Sequence, residues 1–247
     1  MKYVCDYTTP LGALADLVGA RARSLAEMSQ LGFPVPPGFA VSSVVCRRFL
    51  ETGDLPASAW SEIQTALDRA VGSFLHSVPA RPALLAVRSS PSQEMPGLFN
   101  SALYLGATPA VLDDLASWAG NRAALHVRLG FLKSIGRSRG LSPARFASVV
   151  AEVAGPADRS QWSAEQIEAI CQSYESLIVD ESQRPIPVAL EEQLLEGIEA
   201  VFASWDRLEA RRSRRARGIS DDEGMGVVVH PMIFGEVDDS GAGVAFS

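Results

Sequence analysis

Lysine is nearly missing from this chain of 247 residues: it occurs only as Lys2 and Lys133, and every other cationic side chain is arginine. Arginine's planar fork of donors suits phosphate recognition, although genome composition is the simpler source of such a bias. Cysteine is scarce as well. Cys5, Cys46 and Cys171 stand far apart with no CxxC pair and no Cys/His ligand spacing, which gives no basis for a disulfide framework or zinc module and favours a reducing, cytoplasmic setting. No apolar run approaches the roughly 18 residues that a membrane span requires, and no signal-peptide pattern opens the chain. The formal net charge of -7 argues against bulk nucleic-acid binding while leaving room for a local basic pocket. What remains is an ordinary globular composition, 47% apolar and 21% charged, enough for one large core or two small ones.

The chain is organised around residues 82–106. An apolar run at 83–87 has the length of a buried strand and delivers Arg88, Ser89 and Ser90 at its end. A loop rich in proline and glycine follows, then a second short apolar run. Such an arrangement can present a polyanion site. Arg88 offers phosphate a fork of donors, Ser89, Ser90 and Ser101 offer hydroxyls, and Gly97 lets backbone amides approach an anion closely. The competing reading is a hairpin whose arginine is an ordinary surface charge.

On either side the patterning is mostly helical. Residues 11–31 predict a helix with Leu17, Leu25 and Met28 on its apolar face, stopped at Gly32. Pro34, Pro36 and Pro37 then force an extended connector, and 40–43 read as a short strand whose serines can cap a helix from about Val44. Residues 60–78 carry Ile63, Leu67, Val71 and Phe74 at amphipathic spacing. Further helices are expected at 108–119, opened by Thr108-Pro109, and at 121–136, 142–153 and 163–179, so that 108–187 forms an all-helical block. From Val188 the longest helical pattern runs into an arginine-rich stretch at 207–217, which reads as a solvated helix face rather than a phosphate or RNA contact. Residues 225–232 predict a β-branched strand. His76 and His126 read as structural residues; His230, on that strand, can titrate or ligate.

Taken together these segments resemble the ATP-binding region of the pyruvate, phosphate dikinase and phosphoenolpyruvate synthase family. Val87-Arg88-Ser89-Ser90, Met95-Pro96-Gly97 and Leu103-Tyr104-Leu105-Gly106 fit the family pattern V-R-S-G-A-x-x-S-M-P-G-M-M-D-T-x-L-N-L-G. Residues 25–28 and 35–39 fit G-G-K-G-A-N-L-A-E-M and G-x-P-V-P-P-G-F, Ala200-Val201-Phe202-Ala203-Ser204-Trp205 fits A-V-F-x-S-W, and 238–247 resemble D-D-S-G-T-G-V-A-F-T. The Met-Pro-Gly loop favours the dikinase branch. The resemblance implies an α+β fold, the first lobe of an ATP-grasp nucleotide-binding domain, with a mixed sheet and flanking helices. That lobe comprises 1–107 plus 188–232, the helical subdomain 108–187 is inserted in it, and a second lobe starts at 233–247.

The same resemblance implies ATP as ligand, with Arg21 and Arg88 as catalytic phosphate contacts. Ser89, Met95, Gly97, Asn100 and Ser101 would surround the nucleotide, and Met232 and Ile233 would edge the adenine. Five departures stand out. Arg21 occupies the place of the family's lysine, Ala22 that of a glycine, Asn100 that of an aspartate and His230 that of a glutamine, while Pro231 removes a backbone donor. The family's Mg²⁺-binding carboxylates, carrier histidine and pyruvate site match nothing up to Ser247. The chain alone is therefore expected to be a catalytically incomplete phosphotransferase, a fragment or one piece of a split enzyme with a separately encoded phosphohistidine or phosphoenolpyruvate-binding partner. The alternative is a non-catalytic, degenerate nucleotide-binding or scaffold module. An unpaired apolar edge at Val244, Ala245 and Phe246 predicts self-association or a partner.

Overall fold

Five short strands drawn from three distant parts of the chain meet in one sheet. The structure, a computed structural model, describes residues 2–77, 82–156 and 158–233; the motif at 238–247 and its apolar edge lie outside the described residues. The strands are β1 (Val4–Asp6), β2 (Phe39–Val41), β3 (Leu85–Ser90), β4 (Ser101–Leu105) and β5 (Gly226–Pro231), in the order β1-β2-β5-β3-β4. The expected α+β class is found, but every described pairing is antiparallel, where a mixed sheet was expected. β5, the last in sequence, lies between β2 and β3 and runs against both. Its Gly226-Val227-Val228-Val229 run is buried throughout, as a strand covered on both faces requires.

Alternation along the strands separates two cores. Phe39, Val41, Val87, Val227 and Val229 face α2 (Ser43–Thr52), α3 (Ala57–Ser77) and α8 (Leu190–Ala203), meeting Val45, Ile63, Ile198 and Phe202. On the opposite face Cys5, Ala40 and Val228 pack with Ala22 and Ala26 of α1 (Gly19–Gln30). Arg88 stands opposite Val228 on one side and Ser101 on the other, so both polar residues lie on this second face. Beside β4, α5 (Asn121–Ser138) packs on α4 (Pro109–Ala119) and α7 (Ala164–Ser182), and α6 (Pro143–Ala154) packs on α7. The buried Arg139 ties this helical group to α8: it grips the Glu196 carboxylate through Nε (2.7 Å) and Nη2 (3.1 Å) and donates to the Arg184 and Pro185 carbonyls.

Several boundaries differ from the periodicity. The helix expected from residue 11 starts only at Gly19, because Leu14 and Val18 are drawn into the second core by a 3-10 turn. Its Met28 is exposed rather than packed. Ser42 takes the N-cap backbone position of α2 yet makes no capping bond, and its buried Oγ has no partner among the described residues. The long helix from Val188 is interrupted at Ser204–Asp206, where Trp205 turns inward, stacks on Phe99 with centroids 5.7 Å apart, and donates its Nε1–H to the Asp221 carbonyl.

The arginine-rich helix that follows, α9 (Leu208–Ala216), is not uniformly solvated. Arg214 is fully buried: its guanidinium carbon lies 3.9 Å from the Trp205 ring centroid, and it donates to the Trp205 carbonyl and the Asp221 carboxylate. Replacing it removes a desolvated cation–π contact and two charge-assisted hydrogen bonds and leaves a cavity. Arg214→Ala is therefore expected to cost about 3 kcal/mol in urea denaturation. The exposed neighbour supplies the control, since Arg215→Ala should stay within about 0.5 kcal/mol.

Candidate functional site

β3 ends in Arg88-Ser89-Ser90, the chain loops out through residues 91–100, and Ser101 opens β4 directly opposite Arg88. The loop turns at Gly97, whose φ of 77° lies in the left-handed region that glycine adopts without penalty. The first turn of α1 closes against this loop. Two of the orphan amides that every helix start leaves over find acceptors here: Ala20 N–H donates to the Pro91 carbonyl (2.7 Å) and Ala22 N–H to Ser90 Oγ (3.2 Å). Ser90, one of the candidate phosphate hydroxyls, is thus committed to the helix. Arg21 donates to the Ser89 carbonyl and lies 3.6 Å from the Glu94 carboxylate, while Arg23 Nη2 donates to the Ser92 carbonyl at 3.1 Å.

Between these elements lies a cavity of about 80 Å³. Arg21, Arg88, Ser89, Met95, Gly97 and Ser101 line it, six sequence candidates brought together from segments up to 80 residues apart, 101 − 21. The wall also includes Glu94, which the sequence reading passed over; the only signal for it was a lone carboxylate in a loop flanked by candidate phosphate-binding arginines. Arg88 is the chemically unusual member. It is half-buried, and its Nε is sequestered with no hydrogen-bond partner among the described residues. Burial holds its pKa below the ordinary arginine value, Arg21 lowers it further, and Glu94 acts in the opposite direction. A desolvated cation with an unused donor, close to a second arginine, is a site short of an anion.

The remaining candidates stand apart. Asn100 faces α8, donating its side-chain amide to the Ala200 carbonyl (3.4 Å) and its backbone N–H to Ser204 Oγ (3.1 Å). Met232 continues the β5 pairing with its N–H on the Leu84 carbonyl (2.6 Å), and its Sδ accepts the Tyr104 N–H. Ile233 is 66% exposed. Met232 lies four positions along the chain from Val228, the partner of Arg88, which is roughly 13 Å along a strand.

Larger cavities do not offer this chemistry. One of about 680 Å³ lies among α4, α5 and α7, and its Arg128 is already held by Glu168 and Glu175 at 2.8 Å each. Another of about 750 Å³ lies beside β1 and α3. The three cysteines are buried free thiols, with burial raising Cys5 to about 11 and Cys46 and Cys171 to about 12, so none is poised as a nucleophile. Among the described residues no group of three or more His, Cys, Asp or Glu is placed to hold a metal. Glu94, the one carboxylate among the described residues that line the small cavity, faces Arg21, so these residues do not fit a magnesium site. No described helix is long and apolar enough to cross a membrane.

This α+β domain gathers two arginines, two hydroxyls and a glycine turn at an antiparallel sheet end under a helix N-terminus, a set of groups whose chemistry suits an oxyanion. Comparison with known proteins gives the family. The model of the pyruvate phosphate dikinase AMP/ATP-binding domain matches residues 15–68 and 56–247, and the chain belongs to that family. Pyruvate, phosphate dikinase 2 of Oryza sativa subsp. japonica is 32% identical over 242 residues, covering 95% of this chain and 27% of the relative. The chloroplastic pyruvate, phosphate dikinase 1 of Arabidopsis thaliana is also 32% identical, over 243 residues, with coverage of 95% and 25%. The chain thus spans about a quarter of the length of these relatives.

Proposed function

We propose that this chain is the ATP-binding part of a pyruvate, phosphate dikinase-like phosphotransferase, one that passes a phosphoryl group from ATP toward a carrier histidine and so to pyruvate. The observation that carries this is Arg88, a half-buried guanidinium with an unused Nε in a cavity shared with Arg21. A nucleotide phosphate would supply the missing acceptor, and charge-assisted bonds to a planar fork are the strongest that a protein offers an anion. Ser89 and Ser101 can donate hydroxyl protons to the same group. Glu94 is the internal competitor: a bound phosphate displaces it from Arg21, leaving the loop at 91–97 free to settle on the ligand. Adenine beside Met232 and Ile233 requires an extended nucleotide lying along β3 and β5, past the pair His230 and Ala86.

Phosphoryl transfer depends on positioning and charge neutralisation, and the groups on this cavity supply positioning of the phosphates. The acceptor histidine, the pyruvate site and the metal are assigned to other domains or to a partner chain. Calorimetric titration with ATP should show saturable binding of one nucleotide per chain. Absence of saturation up to about 1 mM, the upper end of ordinary enzyme affinities, would sink the reading. In the same preparation pyruvate, phosphate and ATP should give no phosphoenolpyruvate; its formation would show that the chain completes the reaction unaided.

A further inference from the structure

His230 shares the phosphate-binding face but has no part in the site as described so far. β5 pairs with β3 so that His230 stands opposite Ala86 and Val228 opposite Arg88. Residues opposite each other point to the same face, which makes His230 and Arg88 diagonal neighbours across the two strands. The imidazole is partly buried, with Nδ1 2.8 Å from the Pro231 carbonyl oxygen. A carbonyl oxygen can only accept, so Nδ1 carries a proton and Nε2 is the bare nitrogen of the neutral ring.

The charges around it are unbalanced. Arg88 acts on the ring from β3 and Arg21 from α1; the nearby carboxylate, Glu94, sits in the loop and faces Arg21. Burial holds the imidazole below its ordinary pKa of 6.5, and the two arginines push it the same way, while the Pro231 carbonyl acts against them. Two cations and a low dielectric disfavour a third positive charge here, and arriving negative charge reverses that balance.

We propose that His230 is the third basic group of this face and takes up one proton, at Nε2 from solvent, as the polyphosphate of the nucleotide binds. This rests on the nucleotide-binding reading above. No covalent step is involved: the ring gains a proton and a positive charge, and the phosphate gains a third cation. The sign follows from linkage. The histidine titrates at a higher pH with nucleotide bound than without, so its contribution to affinity is absent above the bound value. It grows by up to tenfold per pH unit as pH falls between the two values, and is fully present below the free one. A glutamine in this position cannot do this, and the substitution converts a fixed hydrogen-bonding group into a proton-linked one.

The test is calorimetry with ATP near pH 6.5 in two buffers of different ionisation enthalpy, on the chain as it stands and on His230→Gln. Uptake by the unsubstituted protein should exceed that of the variant by up to one proton, the variant showing only the nucleotide's own phosphate titration. Near pH 8 the two affinities should agree within about twofold. Equal proton uptake with ATP bound by both proteins overturns the proposal while leaving nucleotide binding intact; no binding of ATP by either removes the nucleotide reading itself and this inference with it. Should the variant fail to fold, NMR titration of the His230 ring in the unsubstituted protein decides: its pKa must rise on adding ATP, and an unchanged value overturns the proposal.

Discussion

Arg88→Met is expected to weaken ATP binding by about 10- to 100-fold while leaving the protein as stable as before or slightly more so. The loss corresponds to one or two charge-assisted hydrogen bonds, about 1.5–3 kcal/mol. The stability result is the more discriminating half. An arginine that holds a fold together leaves orphaned partners when removed, and denaturation then shifts downward. Arg88 has a buried Nε with no partner to orphan among the described residues, so a methionine, unbranched like the arginine stem and ending about where that Nε lies, relieves a desolvated charge instead. Titration calorimetry and thermal melting on one preparation give both numbers. Weakened binding together with a markedly lower melting temperature would identify Arg88 as a structural residue and remove the main support for the site. Arg88→Lys should recover only part of the affinity, since it restores the charge without the fork.

Gly19→Ala should be the most damaging small substitution in the chain, on the order of 3–5 kcal/mol in urea denaturation. A Cβ on Gly19 would lie 1.7 Å from the Ser90 carbonyl oxygen, a backbone atom that cannot swing aside, and its φ of 80° is unfavourable to any L side chain. Accommodation requires α1 to move off the end of β3, which breaks the amide bonds from Ala20 and Ala22 and pulls Arg21 from the Ser89 carbonyl. Gly12 isolates the backbone part of the penalty: its φ is 55°, but nothing lies within 4 Å of a Cβ there. Gly12→Ala should cost only about 1–2 kcal/mol. If the two variants are equally stable, the interlock between α1 and β3 is not what holds the site closed.

Much of this architecture was legible because its causes are local. Thr108 predicts the start of α4 and accepts the Val111 N–H there, and the apolar spacing of α3, α5, α6 and α7 places them within a few residues of their observed ends. β3 and β5 declare themselves by unbroken apolar runs, Ala-Leu-Leu-Ala-Val at 83–87 and three valines at 227–229. What escaped has causes elsewhere in the chain. β1 is three residues, Val-Cys-Asp, and is a strand only because Phe39, Ala40 and Val41 pair with it. Trp205 breaks a continuous helical pattern because Phe99 and Asp221, remote in sequence, accept it.

The site divides in the same manner. Arg88 at a strand end and Gly97 in its loop could be read directly, and Arg21 came through resemblance. That Ser90 serves a helix N-terminus, that Asn100 turns to α8, and that Glu94 occupies the wall depend on pairings across 68 to 104 residues, 73 for Arg21 to Glu94 as 94 − 21. No window on the sequence contains both partners.

The strand order carries a consequence for biogenesis. During synthesis β1 and β2 can pair early, and β3 can close on β4 as a hairpin, but among the described strands these two pairs share no ladder until β5 emerges more than 120 residues after β4 ends, 226 − 105, and only the interlock of α1 with the end of β3 joins them before that. Until then the edges of β2 and β3 that later receive β5 stay open, and the apolar floor beneath them is exposed to solvent and to other nascent chains. Insertion of β5 is a single long-range event that joins both halves and brings His230 alongside Arg88, so ligand-binding competence should appear late and abruptly in refolding, after most helical signal has returned.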